Sequence, residues 1–180
     1  MSESLQEKIE DKIIDYINLS ASGRLIVFRP KEKIKGVSLI VKKKGEYDSL
    51  QVQPLSQNSV VKTKIFGVSK KKNTKEVWLC INGQNKTSNQ TIFKKEINVD
   101  DFKENKNLYF IFSFLNVLKQ DIDDYMCILS PEQFKKSADI KEGGIYSFES
   151  FLSPDKKDKY SKFLINKKDL SKFLLKTVLA

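Results

Sequence analysis

The run NLYFIFSFLN at residues 107–116 decides the fold, because it is the longest apolar stretch in a chain of 180 residues. In a β-strand, the even-numbered residues from Leu108 to Phe114 would face one side and the residues between them the other. Both sets are largely apolar, which is typical of a strand buried on both faces. We therefore predict a strand inside a sheet, with the N-terminal helix on one face and a C-terminal helix on another part of the core.

Two helices around this strand begin with capping signals. Ser4 and Glu7 form a capping box at the start of SLQEKIEDKIIDYINLS, whose apolar residues fall on one stripe. In SPEQFKKSA, Ser130 is a suitable N-cap, Pro131 suits the first helical position and Gln133 the third. We expect a long helix at the N-terminus and a short one after the central strand.

The other segments complete a sheet and a last helix. Strands are predicted in RLIVFRP (24–30), VSLIVKKKG (37–45), DSLQVQP (48–54), VVKTKIFGV (60–68), EVWLCIN (76–82), residues 92–97, DYMCIL (124–129), GGIYSFES (143–150) and YSKFLI (160–165), and an amphipathic helix in NKKDLSKFLLKTVLA (166–180). Segments 60–68 and 76–82 are expected to form a hairpin, and DYMCIL to pair beside the central strand. We predict a single α+β domain over residues 1–180, with a central mixed β-sheet flanked by an N-terminal helix and C-terminal helices.

The absence of histidine limits the possible chemistry. It excludes Ser-His-Asp and Cys-His catalysis, a histidine general base and the usual catalytic zinc site. An enzyme of this composition would depend on carboxylates, lysines, hydroxyls and a hard cation such as Mg²⁺. Cys80 and Cys127 each lie in an apolar run, where we expect free, buried thiols rather than zinc ligands.

No apolar run reaches the roughly 18 residues that a membrane span requires, and the N-terminal residues are charged rather than typical of a secretory signal. We expect a cytoplasmic protein without a membrane partner. The formal net charge of +10 favours the phosphate backbone of DNA or RNA as a partner. Arg24 and Arg29 are the only arginines, however, so we do not expect base-specific readout.

The segment EKIEDKIIDYINLSASGRLIVFRP (7–30) combines an acidic helix with a strand that ends at a proline. Later, NLYFIFSFLNVLKQDIDDYMCILSPEQFKKSA (107–138) gives an apolar strand, an acidic turn, a strand ending in SP and a short helix, and DKYSKFLINKKDLSKFLL (158–175) follows. This order resembles a bacterial branch of the PD-(D/E)XK, or restriction-endonuclease-like, superfamily. The resemblance implies that fold and a metal-dependent nuclease ancestry.

The chemistry of that family requires an Asp at the start of one strand and an acid-x-Lys motif on the next. The two acids hold Mg²⁺, and the lysine orients or activates the attacking water. In a first alignment, Val37 and Ser38 stand at the place of the Asp, and Cys80 and Asn82 at those of the second acid and the lysine. None of these residues can perform the family's chemistry.

Two other alignments each lack at least one essential group. In the second, Asp48 is the first acid and Lys62 the lysine, but Val60 replaces the second acid. In the third, Gln51 and Gln53 stand in the places of acid and lysine. The resemblance therefore implies a degenerate centre in which no intact motif survives.

Three functions follow as expectations. The first is a catalytically degenerate nuclease-like domain that binds nucleic acid non-specifically through a lysine-rich rim, or serves as an interaction module, and that needs no cofactor. The rim would comprise Lys42, Lys43, Lys44, Lys64, Lys70, Lys71 and Lys72. The second is an active Mg²⁺- or Mn²⁺-dependent endonuclease using Asp48 and Lys62, with a further acid from Glu10 or Glu46. The third is a protein-interaction module without a role in nucleic-acid binding.

The acidic segment QDIDD (120–124) is an alternative cation site. It holds closely spaced carboxylates, which are ligands that Ca²⁺ accepts. It lacks the glycine and the terminal bidentate Glu of an EF-hand loop, so we favour a solvated turn over a calcium site.

Overall fold

The structure, a computed structural model, describes residues 4–45, 75–87, 91–98 and 106–179. The helices of these residues are α1 (Leu5–Ser20), α2 (Pro131–Ser137) and α3 (Leu170–Leu179). The strands are β1 (Leu25–Phe28), β2 (Leu39–Lys43), β3 (Val77–Lys86), β4 (Phe93–Asn98), β5 (Leu108–Asn116), β6 (Asp121–Ile122), β7 (Tyr125–Leu129), β8 (Asp139–Lys141), β9 (Ile145–Ser150) and β10 (Leu164–Asn166). The predicted strands at 48–54 and 60–68 lie outside the described residues.

The main sheet has the strand order β1-β2-β3-β5-β7-β10, and β6 pairs with the end of β5. β3 and β5 are parallel from Trp78 opposite Leu108 to Lys86 opposite Asn116, whereas the other neighbouring strands are antiparallel. The sheet is therefore mixed, and the strand in residues 107–116 lies in its interior, as predicted. The chain is an α+β protein with an N-terminal helix and two C-terminal helices.

The start of β3 has a different neighbour from the one that the sequence suggested. Val41 to Leu39 of β2 pair with Val77 to Leu79 on one edge of β3, and β5 occupies the other edge from Trp78 onward. The partner of β3 at these positions is therefore β2, whereas the other arm of the predicted hairpin, residues 60–68, lies outside the described residues.

One face of the main sheet is covered by α1 and α3, and we call it the helical face. The side chains of Ile9, Ile13 and Ile17 on α1 are fully buried in one aliphatic cluster together with Leu170 and Leu174 of α3. α1 starts as expected from the sequence, with the capping box of Ser4 and Glu7 formed. None of the described helices combines the length and the apolarity that crossing a bilayer requires.

Gly83 of β3 allows α1 to approach the helical face closely. A Cβ atom at this position would lie 2.0 Å from Cδ1 of Ile9. That distance is far inside van der Waals contact, so any side chain at residue 83 would displace the fully buried Ile9. The glycine is needed here for space rather than for backbone conformation.

The opposite face, which we call the aromatic face, is covered by α2 and by a second, antiparallel sheet of order β4-β9-β8. Its centre is Phe112 of β5, whose ring stacks on Phe148 of β9 with a centroid distance of 3.8 Å. Phe93 of β4 contacts both rings edge to face. This second layer was not predicted, because we expected one central sheet flanked by helices alone.

The C-terminal third also departs slightly from the sequence prediction. The predicted strand 160–165 is a 3₁₀ turn over Ser161–Phe163 followed by β10, and the last helix begins with a 3₁₀ turn at Lys167–Asp169. The predicted capping of α2 is present, since Ser130 Oγ accepts a hydrogen bond from Gln133 N and Gln133 Oε1 accepts one from Ser130 N. The two C-terminal helices therefore lie on opposite faces of the main sheet. α2 lies on the aromatic face, and α3 lies beside α1 on the helical face.

Candidate functional site

A cleft of about 380 Å³ opens on the aromatic face, between β3 of the main sheet and β4 of the second sheet. Its described lining residues are Lys35, Gly36, Cys80, Asn82, Lys95, Glu96, Ile97 and Phe110. They come from the loop before β2, from the middle of β3 and β4, and from β5. The cleft is therefore assembled from four distant parts of the chain.

Strand alternation explains why polar side chains of β3 reach this cleft. Leu79 and Ile81 point into the aliphatic cluster of the helical face, so Cys80 and Asn82 point to the aromatic face. The second sheet leaves both of these side chains only partly buried. The cleft thus marks the border of the area that the second sheet covers.

The same alternation directs a lysine of β4 toward the main sheet. Phe93 and Ile97 are buried beneath β4, and Lys95 lies between them on the same side of the strand. Lys95 lines the cleft and is close enough to Cys80 to lower the pKa of that thiol. Lys95 is nevertheless exposed, so its ammonium group reaches solvent.

The two stretches of the first sequence alignment lie next to each other at this cleft. Ser38 N donates a hydrogen bond of 2.8 Å to the carbonyl of Leu79, and Ile81 N donates one of 3.2 Å to Ser38 Oγ. The end of β2 that would carry the first acid therefore adjoins the part of β3 that would carry the acid-x-Lys motif. At these places the chain has a hydroxyl, a thiol and an amide.

Cys80 and Asn82 form a hydrogen bond with each other at the cleft. Asn82 Nδ2 donates to the carbonyl oxygen of Cys80 at 3.3 Å and lies 3.7 Å from its Sγ. Burial raises the pKa of the Cys80 thiol to about 11, although the Asn82 hydrogen bond and Lys95 act in the opposite direction. The thiol is therefore protonated at neutral pH and is not an activated nucleophile.

The charges around the cleft are mostly positive. Lys35 and Lys95 are cations among its described lining residues, and Glu96 is the carboxylate. Glu96 Oε1 accepts a hydrogen bond of 2.5 Å from Lys141 Nζ, so its charge is already balanced. In the ranges that the structure describes, no group of three or more Asp, Glu or Cys residues is placed to hold a metal ion.

Glu10, the predicted helix acid, lies on the other face of the main sheet. Its carboxylate accepts hydrogen bonds from Gln6 Nε2 at 2.9 Å and from Arg29 Nε at 3.3 Å. Gln6 also donates to the carbonyl of Ile81, which fixes this group against the helical side of β3. Glu10 therefore does not converge with Cys80 and Asn82.

The other residues of the predicted nuclease centre and rim are only partly covered by the structure. Asp48, Lys62, Glu46, Lys64, Lys70, Lys71 and Lys72 lie outside the described residues. Lys42 pairs with Glu76 and lies over the ring of Phe28, while Lys43 and Lys44 are exposed. These three lysines follow at the far end of β2 from Ser38, so they do not line the cleft.

The acidic segment 120–124 is an ion-pair network rather than an open cation site. Asp121 accepts hydrogen bonds from Tyr16 Oη at 2.7 Å and from the buried Lys167 Nζ at 2.8 Å. Lys167 also pairs with Asp124, and Lys86 pairs with Asp123. Each carboxylate of the segment thus has a lysine partner, as a structural turn requires.

These contacts determine the ionisation of Asp121. Burial alone would raise the pKa of this carboxyl, but the hydrogen bonds from Lys167 and Tyr16 outweigh it and lower the pKa below its ordinary value. The Lys167 ammonium additionally donates to the carbonyl of Ile122 at 2.9 Å. We assign this cluster to the attachment of the last helix to α1 and β6.

Lys35, Lys95 and Glu96 line the cleft but were not predicted as site residues from the sequence. A signal was available in FKKEIN, because Lys95 has the strand parity of the buried Phe93 and Ile97. This parity places Lys95 at a cleft only if β4 belongs to a second sheet that covers the first. The short and polar β4 did not indicate such a sheet. Both cysteines are free thiols, as predicted, but only Cys127 is buried, whereas Cys80 is partly exposed.

Comparison with known proteins adds no relative: no family model, no curated protein and no solved structure matches the chain.

Proposed function

We propose that the chain is a restriction-endonuclease-like domain without metal-dependent catalysis, which binds the phosphates of nucleic acids non-specifically through the cleft between β3 and β4. The observation that carries this proposal is the composition of the cleft. The two stretches that align with the family's catalytic motif adjoin there, but they offer Ser38, Cys80 and Asn82 instead of carboxylates and a lysine. Two lysines from other elements line the same cleft.

The order of elements supports the family assignment. An N-terminal helix is followed by the antiparallel strands β1, β2 and β3, and later by the apolar β5, the acidic turn, β7 and the short α2. The adjacency of β2 and β3 brings the two motif positions together, as the family's chemistry would require. We infer an ancestral catalytic centre at this place.

The proposed binding needs no metal ion. The ammonium groups of Lys35 and Lys95 would contact phosphate oxygens directly, and Asn82 could add a hydrogen bond from its amide. Neutralising phosphates releases condensed counterions, so the affinity would fall steeply as the salt concentration rises. A few such contacts suit weak, non-specific binding.

The two arginines give a reason for the lack of specificity. Arg29 pairs with Glu10 and Asp11, and Arg24 donates its Nε–H to the carbonyl of Ala21. Arg29 is therefore engaged within the fold rather than presented as a fork to guanine edges. Lysine provides a point charge for phosphates but not that planar fork.

A matched pair of variants on β4 tests the assignment of the cleft. Lys95→Gln removes a cation of the cleft, whereas Lys94→Gln removes a neighbouring cation that pairs with Glu149 on the exposed side of the strand. Binding to a short DNA duplex is measured by electrophoretic mobility shift across a salt series. We expect Lys95→Gln to reduce the slope of log K against log salt by about 1, and Lys94→Gln to change it little.

The same preparations test the absence of catalysis. Incubation of the wild type with plasmid DNA and Mg²⁺ or Mn²⁺ should leave the DNA intact. Metal-dependent cleavage abolished by Asp48→Asn and Lys62→Ala would contradict the proposal and support the active nuclease. No binding to DNA or RNA at low salt would remove the nucleic-acid role and leave a protein-interaction module.

A further inference from the structure

A second cleft lies at the β10 edge of the main sheet, away from the motif positions. It has a volume of about 320 Å³, and its described lining comes from β5, β7, β10, α2, α3 and the segments that precede α2 and β10. Ile128 and Ile165, from the paired strands β7 and β10, give it an aliphatic surface. This volume is at the lower end of the roughly 300–1,000 Å³ that small-molecule sites occupy.

Three aromatic rings meet at this cleft, and they differ from the rings of the core. Tyr109, Phe163 and Phe173 are each only partly buried, whereas the central rings of the aromatic face are fully buried. Tyr109 and Phe173 pack edge to face, with ring centroids 5.7 Å apart and an interplanar angle of 86°. The cleft therefore presents aromatic surface to solvent from more than one direction.

The polar groups at the cleft favour an anionic ligand. Lys162 is the charged residue among its described lining residues, and its Nζ lies 4.9 Å from the centroid of the Phe163 ring. Gln133 uses Oε1 for the cap of α2, which leaves its amide N–H groups for other partners. A ligand that fits this lining is planar and aromatic, and it carries a negative group within reach of Lys162.

We propose that this cleft binds a nucleotide. The base stacks against the rings of Tyr109, Phe163 and Phe173, the phosphate contacts the Lys162 ammonium, and Gln133 donates to the edge of the base. Base stacking on aromatic side chains tolerates any base, since every base has a π-face. A free nucleotide and an unpaired nucleotide of a single strand share this chemistry, while the paired bases of a duplex do not reach it.

The proposal is independent of the duplex-binding cleft, because no described lining residue is common to the two. Its first test is calorimetric titration of the full chain with AMP, adenosine and ribose 5-phosphate. We expect saturable AMP binding that is tighter than that of either fragment. A short single-stranded oligonucleotide then distinguishes the two possible ligands. If the oligonucleotide binds more tightly than AMP, the ligand is a single strand. If it binds no more tightly than AMP, the ligand is a free nucleotide.

The chain provides a matched control for the variants. Lys162→Gln and Phe163→Leu change the lysine and ring at the cleft, while Lys156→Gln and Phe151→Leu change a similar pair, in which Lys156 Nζ lies 4.8 Å from the Phe151 ring outside the cleft. We expect the first pair to weaken AMP binding by about tenfold each and the second to leave it unchanged.

Thermal unfolding monitors the fold of each variant. If Phe163→Leu does not fold, Lys162→Gln still tests the proposal, because Lys162 is exposed. The proposal is overturned if neither AMP nor the single strand binds, or if the control variants weaken binding as much as the cleft variants. Failure of duplex binding, with AMP binding intact, would instead count against the first cleft alone.

Discussion

The helical and aromatic faces are built on the same central strand, but they are closed in different ways. Ile111 of β5 points to the aliphatic cluster beneath α1 and α3, and its neighbour Phe112 points to the rings beneath the second sheet. Long helices cover one side of β3 from Val77 to Gly83, whereas short strands cover the other only in part. Cys80 and Asn82 are left at an open border as a result.

The difference in coverage between the two faces shows where this fold has room for a ligand. On the helical side of β3, Gly83 has no side chain because Ile9 occupies the space. On the aromatic side, Lys95 is directed inward between two buried residues and still reaches solvent. The motif positions of the resemblance fall on the side that remains open, which is why we place the proposed phosphate site there.

The largest expected effect concerns the centre of the aromatic face. Phe112→Ala should cost about 3–5 kcal/mol, because the ring is fully buried and its loss leaves a cavity among Phe93, Phe134 and Phe148. Ile111→Val on the helical face removes a single methyl group and should cost only about 0.5–1.5 kcal/mol. Chemical denaturation measures both. A cost below about 1 kcal/mol for Phe112→Ala would show that this ring does not lie in a packed core.

A smaller effect with a pH signature is expected at the acidic turn. Asp121→Asn should destabilise the protein by about 2 kcal/mol at neutral pH, because it leaves the buried Lys167 with only the more distant and exposed Asp124 as a carboxylate partner. The pKa of Asp121 is lowered in the folded state, so the stabilisation is present above the unfolded pKa and is lost as the pH falls through the folded one.

The difference in unfolding free energy between wild type and Asp121→Asn should therefore shrink below a pH of about 4. The exposed Asp155→Asn serves as the control and should have little effect at any pH. A gap that stayed constant down to strongly acidic pH would show that the carboxylate charge is not the stabilising feature.

The third effect tests the close packing of the helical face. Gly83→Ala should cost about 1–2 kcal/mol, because the new Cβ overlaps Cδ1 of Ile9. In the Ile9→Val background, which lacks that methyl group, the same substitution should be clearly better tolerated. Thermal melts of the four proteins give the coupling directly. Additive costs would mean that α1 does not approach β3 at this point.

The sequence predicted the parts of the fold that local patterns determine. Ser4 with Glu7 and Ser130 with Gln133 marked two helix starts, and the doubly apolar run marked the interior strand. The second sheet was not predicted, because β4 has only Phe93 and Ile97 as buried residues among polar ones. A pattern of this kind is as typical of an exposed edge as of a covering layer.

The candidate site was predicted in part. The first alignment named Ser38, Cys80 and Asn82, whose proximity follows from the pairing of β2 with β3. Lys35 and Lys95 could not be added from the sequence, since their approach depends on how the second sheet packs on the first. A cation site was considered at the acidic turn because the sequence does not show which cation neutralises Asp121. That cation is Lys167, which is distant in sequence.

The central claim is that the open aromatic side of β3, and not the closed helical side, binds nucleic-acid phosphates. Amide chemical-shift mapping by NMR during titration with a DNA duplex at low salt tests it most directly. We predict perturbations at Gly36, Cys80, Asn82 and Lys95 that disappear as salt is added, with the amides of Ile13 and Leu174 unchanged. Perturbations confined to α1 and α3, or none at any residue of the cleft, would contradict it.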